Sequence, residues 1–144
     1  MSTHGIHLAI VGLFLSFVCH GQLIGRKINQ YDEDGNRNGK WVEYWDGTHT
    51  AISGKGKYKN GKLVGKWKYY HINGKRRLRF KYKDERIKVA YFDQFGQIER
   101  KGWARMVNDE QGIRYFWEGW WKEYDKRRRV IKKIRYENGE MIDV

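Results

Sequence analysis

The segment Gly65-Lys66-Trp67-Lys68-Tyr69-Tyr70 carries a skeleton, Gly-x-Trp-x-x-Tyr, that occurs three times in the chain. The other copies begin at Gly39 and Gly119, so the glycines are 26 and then 54 residues apart, and 54 is close to two further periods. A fixed period in the twenties is typical of an array of small repeated units rather than of one globular core. The motif residues are Gly39, Trp41, Tyr44, Gly65, Trp67, Tyr70, Gly119, Trp121 and Tyr124.

Dipeptides that favour tight turns separate the motif copies. Asn-Gly and Asp-Gly tolerate positive φ at two successive residues, which the type I′ hairpin turn requires. Between them lie short segments rich in aromatic and β-branched residues. In residues 77–83, Leu78, Phe80 and Tyr82 alternate with basic residues, which predicts a strand with one apolar and one basic face. The dipeptides are Asp34-Gly35, Asn38-Gly39, Asp46-Gly47, Asn60-Gly61, Asn73-Gly74 and Asn138-Gly139.

One repeat is degenerate, because Val89 stands at the Trp position and Ile87 at the Gly position. Residues 107–112 are polar and read as a longer loop. Helical periodicity is absent after the amino-terminal segment. The predicted fold is therefore all-β, an elongated single-layer antiparallel meander of stacked β-hairpins, preceded by a helical signal peptide.

The sequence Gly-Lys-Trp-x-x-Tyr, followed by Tyr-x-x-Asn-Gly-Lys, resembles the MORN-repeat-variant family of bacterial exported proteins. The resemblance covers roughly residues 28–142. It implies a single-layered sheet of stacked hairpins and no catalytic residues. Family members are often labelled as antitoxins, so the resemblance also implies an antitoxin-like role.

Residues 1–21 contain no Lys, Arg, Asp or Glu, and residues 6–19 form an apolar run. Fourteen residues span roughly 21 Å as a helix, less than the ~30 Å hydrocarbon core of a bilayer. This length predicts a secretory signal cleaved near Gly21-Gln22, which leaves a repeat domain of residues 22–144 in the periplasm, the cell envelope or the medium. The alternatives are a short uncleaved anchor and a lipoprotein attached at Cys19. That cysteine is the only one, so the mature domain has no disulfide.

Aromatic residues divide into two groups. We expect the Trp and Tyr residues of the three motif copies to form the spine of the core, because aromatic side chains dominate core energetics. We expect each motif glycine to let a neighbouring ring lie close over the backbone. Trp45, Trp117 and Trp120 lie outside the motif positions and are candidates for a platform that binds sugar rings or an extended peptide.

The chain has 30 Lys and Arg against 17 Asp and Glu, a formal net charge of +13, which favours an anionic partner. Basic residues concentrate in residues 75–83 and 126–135, and on paired strands these two runs would form one positive surface. Nucleic acid is an improbable partner for an exported protein, whereas an acidic protein, an envelope polymer or a membrane surface fits. The candidate binding residues are Arg77, Arg79, Lys81, Lys83, Lys133 and Arg135.

Catalytic and metal-binding patterns are sparse. The predicted mature domain has His49 and His71, the single serine Ser53 and no cysteine, so a nucleophile–His–acid triad has little material. Residues 32–43 resemble a calcium loop, but Arg37 stands where the loop needs glycine, and Asp, Asn and Gly also suit a turn. We expect no enzyme activity, no cofactor and no metal.

The sequence therefore predicts a non-catalytic exported module that binds or scaffolds another protein, antitoxin-like by family resemblance. The alternative is a module that binds an envelope polyanion, an anionic lipid or an acidic glycan, through its basic sheet face. The ligand and the oligomeric state stay open at this point.

Overall fold

Ten β-strands, joined in chain order, form one antiparallel sheet in the computed structural model, which describes residues 27–110 and 112–144. The all-β prediction is confirmed, and the described residues contain no helix that is long and apolar enough to cross a membrane. The predicted signal peptide, residues 1–21, lies outside the described residues. The strands are β1 (Gln30–Tyr31), β2 (Arg37–Tyr44), β3 (Ile52–Lys59), β4 (Lys62–Tyr70), β5 (Arg76–Lys83), β6 (Arg86–Phe92), β7 (Ile98–Asp109), β8 (Gly112–Tyr124), β9 (Val130–Glu137) and β10 (Glu140–Asp143).

Two of the six turn dipeptides form the predicted two-residue turns. Asn60-Gly61 joins β3 to β4 and Asn138-Gly139 joins β9 to β10, and all four residues have positive φ. That is the conformation of a type I′ turn, whose twist matches the twist of the strands that it joins.

The other dipeptides serve different purposes. In Asp34-Gly35 and Asn73-Gly74 only the glycine has positive φ, and each pair lies within a longer turn. Asn38-Gly39 lies inside β2, and neither residue of Asp46-Gly47 has positive φ. The prediction of a type I′ hairpin at these four pairs is wrong.

Several of the longer turns are closed by a carboxylate that accepts hydrogen bonds from backbone amides. Asp125 Oδ1 accepts from the amides of Arg127 and Arg129 at 2.9 and 2.8 Å, and the Arg129 amide lowers the pKa of this carboxyl. Asp93 accepts from two amides in the same way in the turn between β6 and β7.

The core lies on one face of the sheet, which we call the core face. Successive residues of a strand point to opposite faces, and register partners share a face. One row of register partners crosses the sheet and contains the most buried side chains, with Trp67 fully buried and Trp121 1% exposed. From β2 to β9 this row is Trp41, Gly56, Trp67, Phe80, Val89, Gly102, Trp121 and Ile134.

Two buried indoles of the row, those of Trp67 and Trp121, lie flat against a glycine of the preceding strand. A Cβ atom on Gly56 would stand 2.3 Å from the Trp67 ring, and one on Gly102 would stand 2.3 Å from the Trp121 ring. The indole nitrogens donate to backbone carbonyls of the same preceding strands, Trp67 Nε1 to Lys57 at 2.8 Å and Trp121 Nε1 to Trp103 at 2.9 Å. The ring therefore fills the space that a side chain would occupy.

The motif glycines have a different role from the predicted one. Gly39, Gly65 and Gly119 have φ of 75°, 67° and 66°, and no atom lies within 4 Å of a Cβ placed on any of them. In β4 the residues from Gly65 to Trp67 stand opposite the single residue Gly56, so the strand bulges there. Positive φ at the first residue of such a bulge favours glycine. The expectation of a ring packed over the motif glycine is wrong, because the close approach occurs on the neighbouring strand.

Gly65→Ala is expected to lower the free energy of unfolding by about 1–2 kcal/mol, the strain of an L-residue at positive φ. The control is Gly47→Ala, because Gly47 has ordinary φ and open space around its Cβ position. Urea unfolding monitored by tryptophan fluorescence measures both variants. Equal midpoints for the two would contradict a conformational role for Gly65.

The motif tyrosines lie apart from the core, against prediction. Tyr70 and Tyr124 stand three residues after Trp67 and Trp121, and an odd spacing in a strand puts two side chains on opposite faces. Their rings lie beneath lysines on the face away from the core. The Tyr44 ring packs against His49 with centroids 4.7 Å apart. Of the motif residues that were predicted to form the spine of the core, only the tryptophans lie in it.

The hairpin of β7 and β8 is longer than predicted, because residues 107–109 and Gly112 pair as strand instead of forming a loop. Tyr115 of β8 stacks on Phe80 of β5 with centroids 6.0 Å apart, although two strands lie between β5 and β8. Contact across three strand intervals means that the sheet curves towards its core face.

The degenerate repeat fills the core in another way. Val89 and Ile87 of β6 are buried, and Phe80 of β5 stands opposite Val89. In the pair of Gly56 on β3 and Trp67 on β4, the second strand carries the large side chain. In the degenerate repeat, the first strand carries it instead. Ile87 has no positive φ, and the pairing of β5 with β6 is regular.

Candidate functional site

The face opposite the core carries a row of cations, which we call the cation row. The row crosses seven consecutive strands, β3 to β9, with one residue from each strand. Six of the seven residues are basic, and the seventh is Ala90 of β6. Adjacent strands lie about 4.8 Å apart, so the row places a positive side chain at nearly every such step. The six cations are Lys55, Lys68, Arg79, Lys101, Lys122 and Lys133.

The repeat itself generates this row. The fourth position of the motif supplies Lys68 and Lys122, and Val42 stands at the same position in the first copy. The strands β3, β5, β7 and β9 each contain one residue that is not paired with the preceding strand. In each of these strands, the cation of the row is the second residue after the unpaired residue. Since a bulge resets the alternation of a strand, it decides which basic residues reach this face. The unpaired residues are Ser53, Arg77, Glu99 and Ile131.

A second line of basic residues runs beside the cation row. Lys81 stands between Lys66 and Lys88 in the register, and Lys40 stands opposite Lys57. Like charges directly opposite each other across strands are destabilising. The sheet therefore holds its cations against mutual repulsion on this face, which we call the basic face.

Salt bridges of the described residues do not involve the cation row. They join Arg37 to Glu43, Arg114 to Asp109 and Arg129 to Asp125. The carboxylates lie mostly in turns and strand ends, while the cation row itself contains no acidic residue. Glu118 of β8 lies on the same face, opposite Trp103, and lines a depression with Arg86 and Arg135, so the acidic charge of this face lies beside the row rather than in it.

Aromatic rings hold several of these cations in place. Lys55 Nζ lies 5.2 Å from the Tyr70 ring centroid, and Lys101 Nζ lies 4.9 Å from that of Tyr124. The Arg79 guanidinium lies 5.9 Å from the centre of the Phe92 ring. A cation over an aromatic face is worth roughly 0.5–1 kcal/mol at an exposed site. The motif tyrosines thus position the cation row.

Two shallow depressions on the basic face meet at Lys66 and Lys68. The larger encloses about 670 Å³ and the smaller about 350 Å³. Neither is lined by an acidic residue, and the smaller is lined by basic side chains alone. The larger depression is lined by Ile28, Lys40, Trp41, Val42, Lys55, Gly56, Lys57, Gly65, Lys66 and Lys68, and the smaller by Lys66, Lys68, Arg76, Arg79, Lys81 and Lys88.

The structure brings together most of the basic residues proposed from the sequence. Arg79, Lys81, Lys133 and Arg135 lie on the basic face, and Lys83 stands opposite Arg86 at the end of β5.

Arg77 is displaced by the irregular pairing of β5, and its neighbour Arg76 lines the smaller depression instead, over the Phe92 ring at 5.1 Å. Sequence reasoning missed Arg76. It also missed cations on β4, β6, β7 and β8, although the fourth motif position signals two of them. These are Lys66, Lys68, Lys88, Lys101 and Lys122.

The two basic runs were predicted to lie on paired strands, but in the structure they do not lie on paired strands. They belong to β5 and β9, with three strands between them. Lys88, Lys101 and Lys122 on these intervening strands connect the two runs. The single positive surface therefore exists, but the middle strands complete it.

The three candidate platform tryptophans occupy different environments. Trp120 is 48% exposed and stands opposite Arg135 on the basic face, and Trp45 is 47% exposed in the connection between β2 and β3. Trp117 stacks on Trp121 with centroids 4.3 Å apart and packs against the core. Trp120 is thus the candidate that shares a face with the cation row.

Two phenols of the core face are kept neutral by burial. Burial raises the pKa of Tyr69 to about 12, and it also raises the pKa of Tyr82. Both phenols stay protonated at physiological pH, because their pKa values lie above it.

The calcium-like segment, residues 32–43, forms a turn that leads into strand β2. Asp32 Oδ1 accepts from the amides of Asp34 and Asn36 at 3.2 and 2.7 Å. Within residues 27–110 and 112–144, no group of three or more His, Cys, Asp and Glu side chains is placed to hold a metal ion.

Comparisons of the chain with protein-family models, with curated proteins and with solved structures gave no match.

Proposed function

We propose that this chain is a non-catalytic module that binds a linear polyanion across its basic face. The observation that carries the proposal is the cation row, six basic residues on seven consecutive strands with no acidic residue among them. A solvated face without a ligand commonly mixes charges of both signs, which relieves repulsion. A bound polyanion would supply the missing negative charge and release its counterions.

The polyanion would meet a surface that is already ordered. Tyr70, Phe92 and Tyr124 fix cations of the row through ring contacts, so less side-chain entropy is lost on binding. Export, predicted from residues 1–21, would bring the basic face to polymers of the cell envelope. The MORN-repeat-variant resemblance is compatible with this role, because it implies a single-layered sheet of stacked hairpins and no catalytic residues.

Protein binding, antitoxin-like or as a scaffold, is the second candidate. It is favoured by the edge strand β10, all four of whose residues are exposed, including Met141 and Ile142. Exposed edge strands can pair with a strand of another chain. Such binding would depend on β10 and only weakly on salt.

The triple variant Lys68→Gln/Arg79→Gln/Lys81→Gln is expected to bind dextran sulfate about tenfold more weakly than the wild type. Three ion pairs of ~0.5 kcal/mol each correspond to this factor. The measurement is fluorescence titration of the full chain at low and at high salt, with binding that weakens as salt rises.

The matched control is Lys126→Gln/Arg127→Gln/Lys132→Gln, which removes the same charge from a turn and from outside the cation row. It is expected to weaken binding much less than the triple variant. Equal losses in the two variants would mean that net charge alone attracts the polymer. Salt-insensitive binding would favour the β10 edge.

A further inference from the structure

The spacing of the cation row points to the class of polyanion, an inference that rests on the proposed function. We infer that the ligand is a linear acidic polysaccharide with one carboxylate on each sugar, lying perpendicular to the strands.

Strand spacing sets the charge repeat that the row can match. Neighbouring strands are about 4.8 Å apart, and the curvature of the sheet away from the basic face widens the step at the side-chain tips. This step is close to the length of one pyranose ring. A polyuronate therefore has one carboxylate for each strand that it crosses, and the long Lys and Arg side chains that the row offers on six strands between β3 and β9 can reach carboxylates on either side of the sugar chain.

Other polyanions fit the row less well. A polyphosphate chain places its charges closer together than the strands. An extended acidic peptide repeats its side chains on one face every two residues, about 6.6–6.8 Å. Single-stranded nucleic acid needs a series of open ring faces on which successive bases stack, whereas Tyr70, Phe92 and Tyr124 lie beneath cations and the half-exposed Trp120 stands beside the row.

The basic face also offers apolar surface, which a sugar backbone can use. The larger depression places Ile28 and Val42 among its lysines, and its exposed lining is mostly apolar. Trp120 adds a half-exposed ring beside the row at β8. The C–H faces of pyranose rings can pack on such groups while their carboxylates reach the cations. A charge-only ligand would leave this apolar surface unused.

Oligogalacturonates of increasing length test the inference with the full chain, by isothermal titration calorimetry at low salt. Affinity is expected to rise with each added sugar up to roughly seven, the number of strands that the row crosses, and then to level off with one oligomer bound per chain. Neutral dextran is expected not to bind. Sodium polyphosphate of equal charge is expected to bind several-fold more weakly.

Val42→Lys extends the row by one strand and provides a gain-of-function variant. Val42 stands opposite Lys55, and only its backbone is bound by the Asn29 side chain, so the substitution keeps those hydrogen bonds. Affinity for the longer oligogalacturonates is expected to rise roughly two- to fivefold, the value of one exposed ion pair. The matched control Ile72→Lys adds the same charge in an exposed turn outside the row and is expected to change affinity much less.

The outcomes separate this inference from the proposed function. Tight binding of dextran sulfate, with oligogalacturonate no better than polyphosphate at equal charge, would overturn the polysaccharide assignment and leave polyanion binding intact. Equal gains from Val42→Lys and Ile72→Lys would also overturn it. If dextran sulfate does not bind, the proposed function of polyanion binding is itself contradicted.

Discussion

Trp67→Ala is expected to lower the free energy of unfolding by about 3–5 kcal/mol, the cost typical of removing a fully buried indole. Trp67 is completely buried and makes ring contacts with Tyr58 and Tyr69 at 5.1 and 5.9 Å. Its Nε1 also donates to the Lys57 carbonyl, which would lose this partner in the variant. Since domains are stable by about 5–15 kcal/mol, the loss would leave the chain close to unfolding.

Chemical denaturation followed by far-ultraviolet circular dichroism measures this effect without depending on the lost fluorophore. Trp45→Ala is the control, because it removes the same side chain from a half-exposed position between β2 and β3. It is expected to cost well under half as much. Similar losses at the two positions would mean that Trp67 is not the anchor of this part of the core.

Much of the fold can be predicted from local chemistry. The alternation of Leu78, Phe80 and Tyr82 with basic residues identified β5 and both its faces, because a period of two needs no distant partner. Asn60-Gly61 was recognised as a turn because Asn-Gly itself tolerates positive φ at two successive residues. The close packing of Trp67 on Gly56 could not be predicted, since it depends on which residue of the neighbouring strand stands opposite.

Candidate site residues were predictable only where the alternation is unbroken. Arg79 and Lys81 follow the pattern of their strand, whereas Arg77 does not, because an irregularity in the register intervenes. The cation row is a property of strand pairing, since its members come from different strands. Neither net charge nor basic runs reveal that Lys68 and Lys122 share a row.

Gly102→Ala is expected to lower the free energy of unfolding by about 1–3 kcal/mol or more, through overpacking rather than through a cavity. The added methyl group would lie 2.3 Å from the indole of Trp121, which cannot retreat because Trp117 stacks on its ring at 4.3 Å. Moving the indole would also break its hydrogen bond to the Trp103 carbonyl. The same argument applies to Gly56→Ala.

A second substitution can separate overpacking from a general intolerance of alanine in the strand. Gly102→Ala combined with Trp121→Phe reduces the ring that opposes the new methyl group, so the double variant is expected to lose less stability than the sum of the two single variants. The pairing of Phe80 with Val89 in the degenerate repeat shows that this sheet accommodates such a medium-sized pair in the core row. A double-mutant cycle from urea unfolding gives the interaction free energy between the two positions. An interaction free energy near zero would mean that Gly102 is required for its backbone conformation. An interaction free energy that favours the double variant would show that the Trp121 ring alone excludes a side chain at position 102.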